Sequence, residues 1–190
     1  MARLGEIITF ADGRLRSGSF RDSSLNGLQV EGKPEVRRIA LGVSASLEFL
    51  GRARAEGADL AIVHHGLFWK GHTEAVRGPL KKKLALLIES GMSLAAWHLP
   101  LDAHPSLGNN AALLRVLGAV KSRPFGEYDG QSIGLAGTLA APLSPEKAAS
   151  LLAAANSEWI SPSCRVCSIA RSYWGIAWAR RSRSCRRANC

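Results

Sequence analysis

Apolar and polar positions alternate along the first two thirds of the chain in a pattern that switches repeatedly between strand and helix periods. Leu4, Ile7, Ile8 and Leu15 recur at roughly helical spacing and predict an opening helix within residues 2–20. Residues 22–30 read as a polar turn running into a short extended stretch. The run 38–43, rich in β-branched residues, predicts a buried strand. Ser44-Ala-Ser46 then offers a cap for a helix over 47–56 that stops at Gly57. A second strand, 59–63, runs directly into His64-His65-Gly66. The spacing predicts a further helix over 79–90, with Lys81, Lys82 and Lys83 outward, Leu84, Leu86, Leu87 and Ile88 inward, and Gly91 as its stop. Residues 92–97 form a third strand delivering His98, and Asn109-Asn110 open a helix over 111–117. Strands joined by helices through short connections imply parallel pairing, so the fold class expected is α/β, a three-layer parallel-sheet lobe.

From residue 124 the pattern restarts. A strand is expected over 133–139, and Ser144-Pro145-Glu146 presents a cap with proline in the first helical turn, leading a helix to about residue 155. This reads as the start of a second, incomplete α/β lobe. The expected organisation is a metal-binding lobe at 1–122, the start of a second lobe at 123–158, and an atypical tail at 159–190.

Composition changes this picture only at that tail. The net charge of +10 suggests nucleic-acid binding until it is divided: seven of the 25 basic residues and none of the 15 acidic ones lie in 159–190. The remaining 18 basic residues nearly balance the acids, so the body is close to neutral. All four cysteines (Cys164, Cys167, Cys185 and Cys190) also lie in the tail. The body therefore has neither a disulfide framework nor a cysteine nucleophile. No apolar run resembles a signal peptide or a membrane span, and a cytoplasmic protein is expected.

The chemistry concentrates in one short interval. All five histidines fall between positions 64 and 104, and two predicted strands end on them. Ligands of open parallel sheets gather beyond the carboxyl ends of the strands. His64 and His65 leave one such end; His98 leaves another, with Asp102 four residues on in a loop that Pro100 keeps from being helical throughout. Imidazole with carboxylate suits zinc, iron or manganese. Adjacent histidines on a turning backbone can serve different ions while a carboxylate bridges them, the usual assembly of a two-metal hydrolytic site. Lys70 and Lys81 to Lys83 are candidates for substrate phosphates if they lie near that rim. Of the other histidines, His104 reads as a solvent-exposed or supporting residue and His72 has no supporting pattern. Trp69 and Trp97 read as packing beside the site.

The segments Asp22-Ser-Ser-Leu-Asn-Gly-Leu-Gln-Val-Glu-Gly32, Asp59-Leu-Ala-Ile-Val-His-His-Gly-Leu-Phe-Trp-Lys-Gly71 and Trp97-His-Leu-Pro-Leu-Asp-Ala-His-Pro-Ser-Leu-Gly-Asn-Asn110 carry a resemblance. In order and spacing they are similar to the motifs of the YbgI-type members of the Ngg-interacting-factor-three-like family, the type-two GTP cyclohydrolase homologues. The likeness extends over about residues 1–155. It implies two divalent metal ions per subunit and a ring-shaped homohexamer. It places His64, His65 and Asp102 on ligand positions and His98 on a position that can join them. The implied activity is hydrolytic opening of the GTP imidazole ring with loss of formate. The alternative is a metal-binding hexameric scaffold or metal-trafficking protein without turnover.

The chain departs from the family pattern late. The resemblance implies a closing Gly-His-His-x-Thr-Glu-like segment, yet no histidine follows His104 and no glutamate follows Glu158. Gly175-Ile-Ala-Trp178 runs instead into an arginine- and serine-rich segment, and the tail reads as an out-of-frame or truncated product. Two other readings of it are a four-cysteine zinc ribbon and an arginine cluster at 180–187 binding nucleic acid weakly and without specificity.

Overall fold

The computed structural model describes residues 1–71 and 75–158 of the chain. The expectations placed on His72 and on the tail (the zinc ribbon, the arginine cluster, the change of frame) lie outside the described residues.

Helix α1 (Leu4–Leu15) follows a two-residue strand β1 (Ala2–Arg3), and the carboxylate of Glu6 accepts the Arg3 backbone N–H at 3.2 Å to fasten its start. It ends where Arg16 turns left-handed, φ 53°, ahead of a short 3-10 turn at Ser17–Ser19. Strand β2 (Gly27–Val30) and the short β3 (Glu35–Val36), which pairs with β1, lead into β4 (Ile39–Ser44). Helix α2 (Leu47–Ala55) begins as its sequence requires: the Ser46 hydroxyl accepts the Phe49 N–H at 3.0 Å. Strand β5 (Leu60–His65), helix α3 (Gly78–Ser90) and strand β6 (Ser93–Ala96) complete the repeat, with Gly91 left-handed at the end of α3, φ 65°.

The sheet order is β2-β6-β5-β4. Strands β4, β5 and β6 are parallel, as the strand–helix alternation predicts, while β2 runs antiparallel along the β6 edge. The alternation of side chains then builds two cores. Ala61 and Val63 of β5 with Leu94 and Ala96 of β6 face α2 and α3, packing against Phe49, Leu50, Ala53 and Leu87. Leu60, Ile62, Ala95 and Trp97 face the other way, against Leu4, Ile7, Ile8, Ala11 and Leu15 of α1. These are the three layers of the α/β fold. Phe49, Leu50, Leu60 and Leu87 are fully buried, each contributing about 1.5–3 kcal/mol of apolar burial. Small residues at 61, 95 and 96 let the helices approach the sheet.

Several local expectations are corrected. Ile88 does not point inward; it is 69% exposed, because α3 turns its Leu84–Leu87 side to the sheet. Residues 99–103 are a short helix α4 (Leu99–Ala103) rather than a non-helical loop, since Pro100 falls in its first turn, where no backbone N–H donor is needed. Helix α5 (Asn109–Val116) is capped at Gly108, so the asparagines are not its caps.

Beyond α5 the chain forms a long hairpin of β7 (Ala119–Tyr128) and β8 (Gln131–Leu139), followed by helix α6 (Pro145–Glu158). Strand β8 meets the expectation for 133–139. Strand β7 goes unpredicted and crosses position 122, where the first lobe was expected to end. Its partner turn, Asp129-Gly130 with φ 49° and 77°, supplies the two left-handed residues that a tight hairpin needs.

Candidate metal centre

The parallel sheet aims its chemistry at one end. His64 and His65 are the last residues of β5, beyond the last pair with β6 (Val63↔Ala96), so their rings have no strand on that side. Strict alternation sends neighbouring side chains to opposite faces, yet at this strand end the two ring centroids lie 4.4 Å apart. His98 follows β6 at the head of α4, and its ring is 4.9 Å from His64 and 5.6 Å from His65. One ring nitrogen from each of the three lies within 4.8 Å of the others. Helix α4 carries Asp102 to the same place, its Oδ2 3.0 Å from His64 Nε2. The structure therefore brings together all four residues singled out in the sequence: His64, His65, His98 and Asp102.

Their surroundings hold these rings in place. His65 Nδ1 is 3.1 Å from the Ser44 hydroxyl on the neighbouring strand β4. Asn109 donates to Asp102 Oδ1 at 2.9 Å, and Asn110 donates to the Asp102 and Ile133 carbonyls. These bonds tie α4 to α5 and β8. His98 Nδ1 is 2.9 Å from Oδ1 of Asp22, a carboxylate almost wholly buried in the turn before β2. That same carboxylate accepts the N–H groups of Ser24 and Leu99 and the amide of Asn26, whose own oxygen accepts the His98 N–H at 2.8 Å.

Asp22 is the residue the sequence reading missed. Its local signature, a polar turn with Asn four residues on, does not reveal a partner 76 positions away.

The other residues singled out in the sequence stand in different relations to this cluster. Trp69 stands beside it, its ring 5.1 Å from His98 and 6.2 Å from His65. Trp97 is a buried structural residue whose indole N–H donates to Asp12 at 2.8 Å. His104 takes no part in the cluster; its Nδ1 accepts the backbone N–H groups of Ser106 and Leu107 and closes their turn. Lys70 is exposed next to Trp69, and Lys81 and Lys82 are exposed in the first turns of α3. Lys83 is partly buried, which lowers its amine from the usual lysine range.

The connection from β5 explains Gly66. A Cβ there would lie 2.3 Å from the Gln29 side-chain amide, which is itself fixed by accepting the Leu67 and Phe68 N–H groups. Glycine is what lets the chain turn sharply off the strand with both histidines pointing at α4.

The electrostatics match a cation site. Burial, and then the neighbouring His64 and His98, lower the His65 imidazole from its usual range and favour the neutral form that binds metals. Burial alone would raise the Asp102 carboxyl, but the bonds from His64 and Asn109 outweigh it and hold the group below the ordinary range. Asp22 is lowered in the same way, burial being overcome by His98, Asn26, Ser24 and Leu99.

Three imidazoles and a carboxylate fit a first-row divalent ion. Ligands about 2.1 Å from one ion stand roughly 3–4 Å apart. The 3.0 Å His64–Asp102 contact already has that spacing, and the imidazole nitrogens, within 4.8 Å, need only a small contraction. Among the described residues the three histidines are the one group of three or more such side chains close enough to share an ion, and Asp102 joins them through its contact with His64.

Comparisons with known proteins place the chain among relatives. A relative from Deinococcus radiodurans, named GTP cyclohydrolase 1 type 2 homolog, is 46% identical over 134 residues, covering 70% of this chain and 51% of the relative. A Pyrococcus horikoshii protein of the same name is 49% identical over 132 residues, 70% of this chain and 52% of its own length. The chain thus spans about half the length of the curated relatives it matches. Among solved structures, one titled protein ybgI, unknown function, superposes with a TM-score of 0.72 at 40% identity, covering 82% of this chain and 61% of that one. Reduced HcgD from Methanocaldococcus jannaschii gives a TM-score of 0.60 at 27% identity, over 68% of this chain and 52% of its own. The profile of one family matches residues 2–170. The chain belongs to the Duf34/NIF3 (NGG1p interacting factor 3) family.

Proposed function

We propose that His64, His65, His98 and Asp102 would hold divalent first-row metal ions, two per subunit, and that the site serves hydrolysis of a nucleotide ring. The observation that carries the reading is the convergence of three imidazole nitrogens within 4.8 Å at the carboxyl end of a parallel sheet, with Asp102 against His64. Bound there, divalent ions supply polarisation of water and stabilisation of developing negative charge.

The chain's own groups supply the rest. Asn109 fixes one oxygen of Asp102 so that the other faces His64, and Ser44 fixes the ring of His65. Trp69 gives the site an aromatic wall beside His65 and His98. The names of the relatives favour GTP as the substrate class. In that reaction water adds to the carbon between the imidazole nitrogens, the carbon–nitrogen bond breaks, and a second water releases that carbon as formate. A ring of six subunits belongs to the same reading.

One observation favours a second reading, a metal-binding scaffold without turnover. The described residues offer three imidazoles and the Asp102 carboxylate, the buried Asp22 carboxylate being taken up by its own hydrogen bonds, and these are few ligands for two complete coordination spheres. Elemental analysis of the purified chain, followed by formate release from GTP, separates the two. Metal bound without formate supports the scaffold; no metal in either wild type or a zinc-reconstituted sample rejects both. Light scattering tests the hexamer.

A further inference from the structure

The contacts of Asp22 carry one step more, resting on the reading of His98 as a metal donor. We propose that Asp22 is a positioning residue that keeps the His98 proton on Nδ1, so that Nε2 is presented as an unprotonated donor.

The argument starts from which donors are fixed. Oδ2 of Asp22 accepts the Leu99 backbone N–H at 2.8 Å and the Asn26 amide at 3.0 Å. The Asn26 amide is itself oriented, because its oxygen accepts the His98 backbone N–H. Oδ1 accepts the Ser24 N–H at 2.9 Å and faces His98 Nδ1 at 2.9 Å. Three of the four partners can only donate. An ionised carboxylate can only accept, so the lowest-energy arrangement puts the imidazole proton on Nδ1, toward Asp22. The buried position of the carboxylate, with a side-chain exposure of 1%, excludes water as a competing donor. Nε2 is then the nitrogen left for a cation, the arrangement in which a carboxylate fixes the tautomer of a ligating imidazole.

The same inventory predicts what Asp22→Asn does. The asparagine oxygen takes the Oδ2 place, where two donors cannot adapt. Its NH2 group then takes the Oδ1 place and faces His98 Nδ1. The imidazole can satisfy that donor only by moving its proton to Nε2, which blocks the metal-binding lone pair; a carboxylate-to-amide change puts a catalytic histidine in the wrong tautomer in the same manner. The Ser24 N–H loses its acceptor, a modest structural cost.

Two measurements test the role. Nitrogen-15 NMR of the imidazoles in the metal-free wild-type chain near neutral pH should show His98 as the Nδ1–H tautomer, and Asp22→Asn should convert it to Nε2–H. Competition for zinc(II) against a chromophoric chelator should show Asp22→Asn binding ten- to a hundredfold more weakly, with an unchanged circular dichroism spectrum. A wild-type His98 in the Nε2–H tautomer overturns the proposal, even if the variant fails to fold. So does a folded Asp22→Asn chain that binds zinc as tightly as wild type. A wild-type chain with the Nδ1–H tautomer that takes up no zinc overturns the metal reading instead, and leaves the tautomer assignment standing.

Discussion

Strand β5 has a carboxylate problem at each end and solves it differently. At its amino end Asp59 precedes the strand, and its Oδ2 accepts the backbone N–H groups of Arg37 and Arg38 at 2.8 and 3.1 Å. That carboxylate closes the turn between β3 and β4. At the carboxyl end, Asp102 and Asp22 meet imidazoles instead. All three carboxyls are held below their ordinary range, Asp59 chiefly by the Arg37 N–H and the other two against the opposing effect of burial. A lowered carboxyl therefore does not mark a functional site by itself. What differs is the partner: a backbone amide cannot give up its proton, whereas an imidazole can exchange its proton for a cation. Only the carboxyl end of the strand is convertible.

The strongest way to break this comparison is to remove a carboxylate from each end and measure zinc. Asp102→Ala or His64→Ala should weaken zinc(II) binding by more than tenfold, since each removes a proposed ligand and the loss of a supporting residue alone costs about that much. Asp59→Ala should leave the affinity unchanged. Equal affinities across the three variants, read by chelator competition, would mean that the two ends do not differ in kind.

A backbone change sharpens the same contrast. Gly66→Ala pushes a methyl group against the Gln29 amide, which is held by two N–H groups and cannot swing away cheaply. We expect a loss of about 1–3 kcal/mol in a denaturant melt, as for other overpacked positions. Zinc binding should weaken by several fold as His64 and His65 are displaced. A variant with wild-type stability and affinity would show that the turn off β5 is not what aims the histidines.

How much of this was legible in the sequence follows the same division. The three parallel strands, the helices between them and the gathering of His64, His65, His98 and Asp102 at one end of the sheet were readable, because period and strand-end position are local signals. Strand β7 was not. Its residues are largely exposed along their length, with Pro124 and Gly126 within it, so no alternation betrays it, although the Asp129-Gly130 turn was a usable cue. The antiparallel course of β2 and the exposure of Ile88 depend on neighbours distant in sequence. Asp22 escaped for the reason that makes it informative: its ring partner is supplied by tertiary structure, 76 residues away. Asn109 and Asn110 suit a helix start, but the cap falls one residue earlier, at Gly108, and their NH2 groups donate to the carboxylate and carbonyl of Asp102.

Proximity to the cluster does not equal participation, and Trp97 tests that. It precedes His98 directly, yet its indole serves Asp12 on α1, which also accepts the Ser17 hydroxyl. Trp97→Phe should lower stability by about 1–3 kcal/mol, the range for losing a hydrogen bond to a charged group with part of the ring. Its zinc affinity should stay within twofold of wild type. A tenfold loss of affinity at unchanged stability would move Trp97 into the site.

The smallest effect belongs to the amino end of β5, and its pH dependence identifies it. Asp59 is lowered in the folded chain by the Arg37 N–H first, with burial opposing and the Arg38 N–H and nearby Lys33 and Arg37 charges adding to the shift. A group whose folded pKa lies below its unfolded value contributes stability above the unfolded value, near about 3.9, and loses it as pH falls through the folded one. The bonds are solvent-exposed, so the contribution is modest, about 1 kcal/mol for two amide contacts to a carboxylate. Chemical denaturation of wild type and Asp59→Ala should therefore differ by about that amount at neutral pH. The difference should shrink as pH falls below roughly 4 and vanish once the folded carboxyl is protonated. A gap that persists unchanged at low pH would assign the effect of the variant to lost packing rather than to the ionised carboxylate. It would also remove the electrostatic half of the contrast between the two ends of the strand.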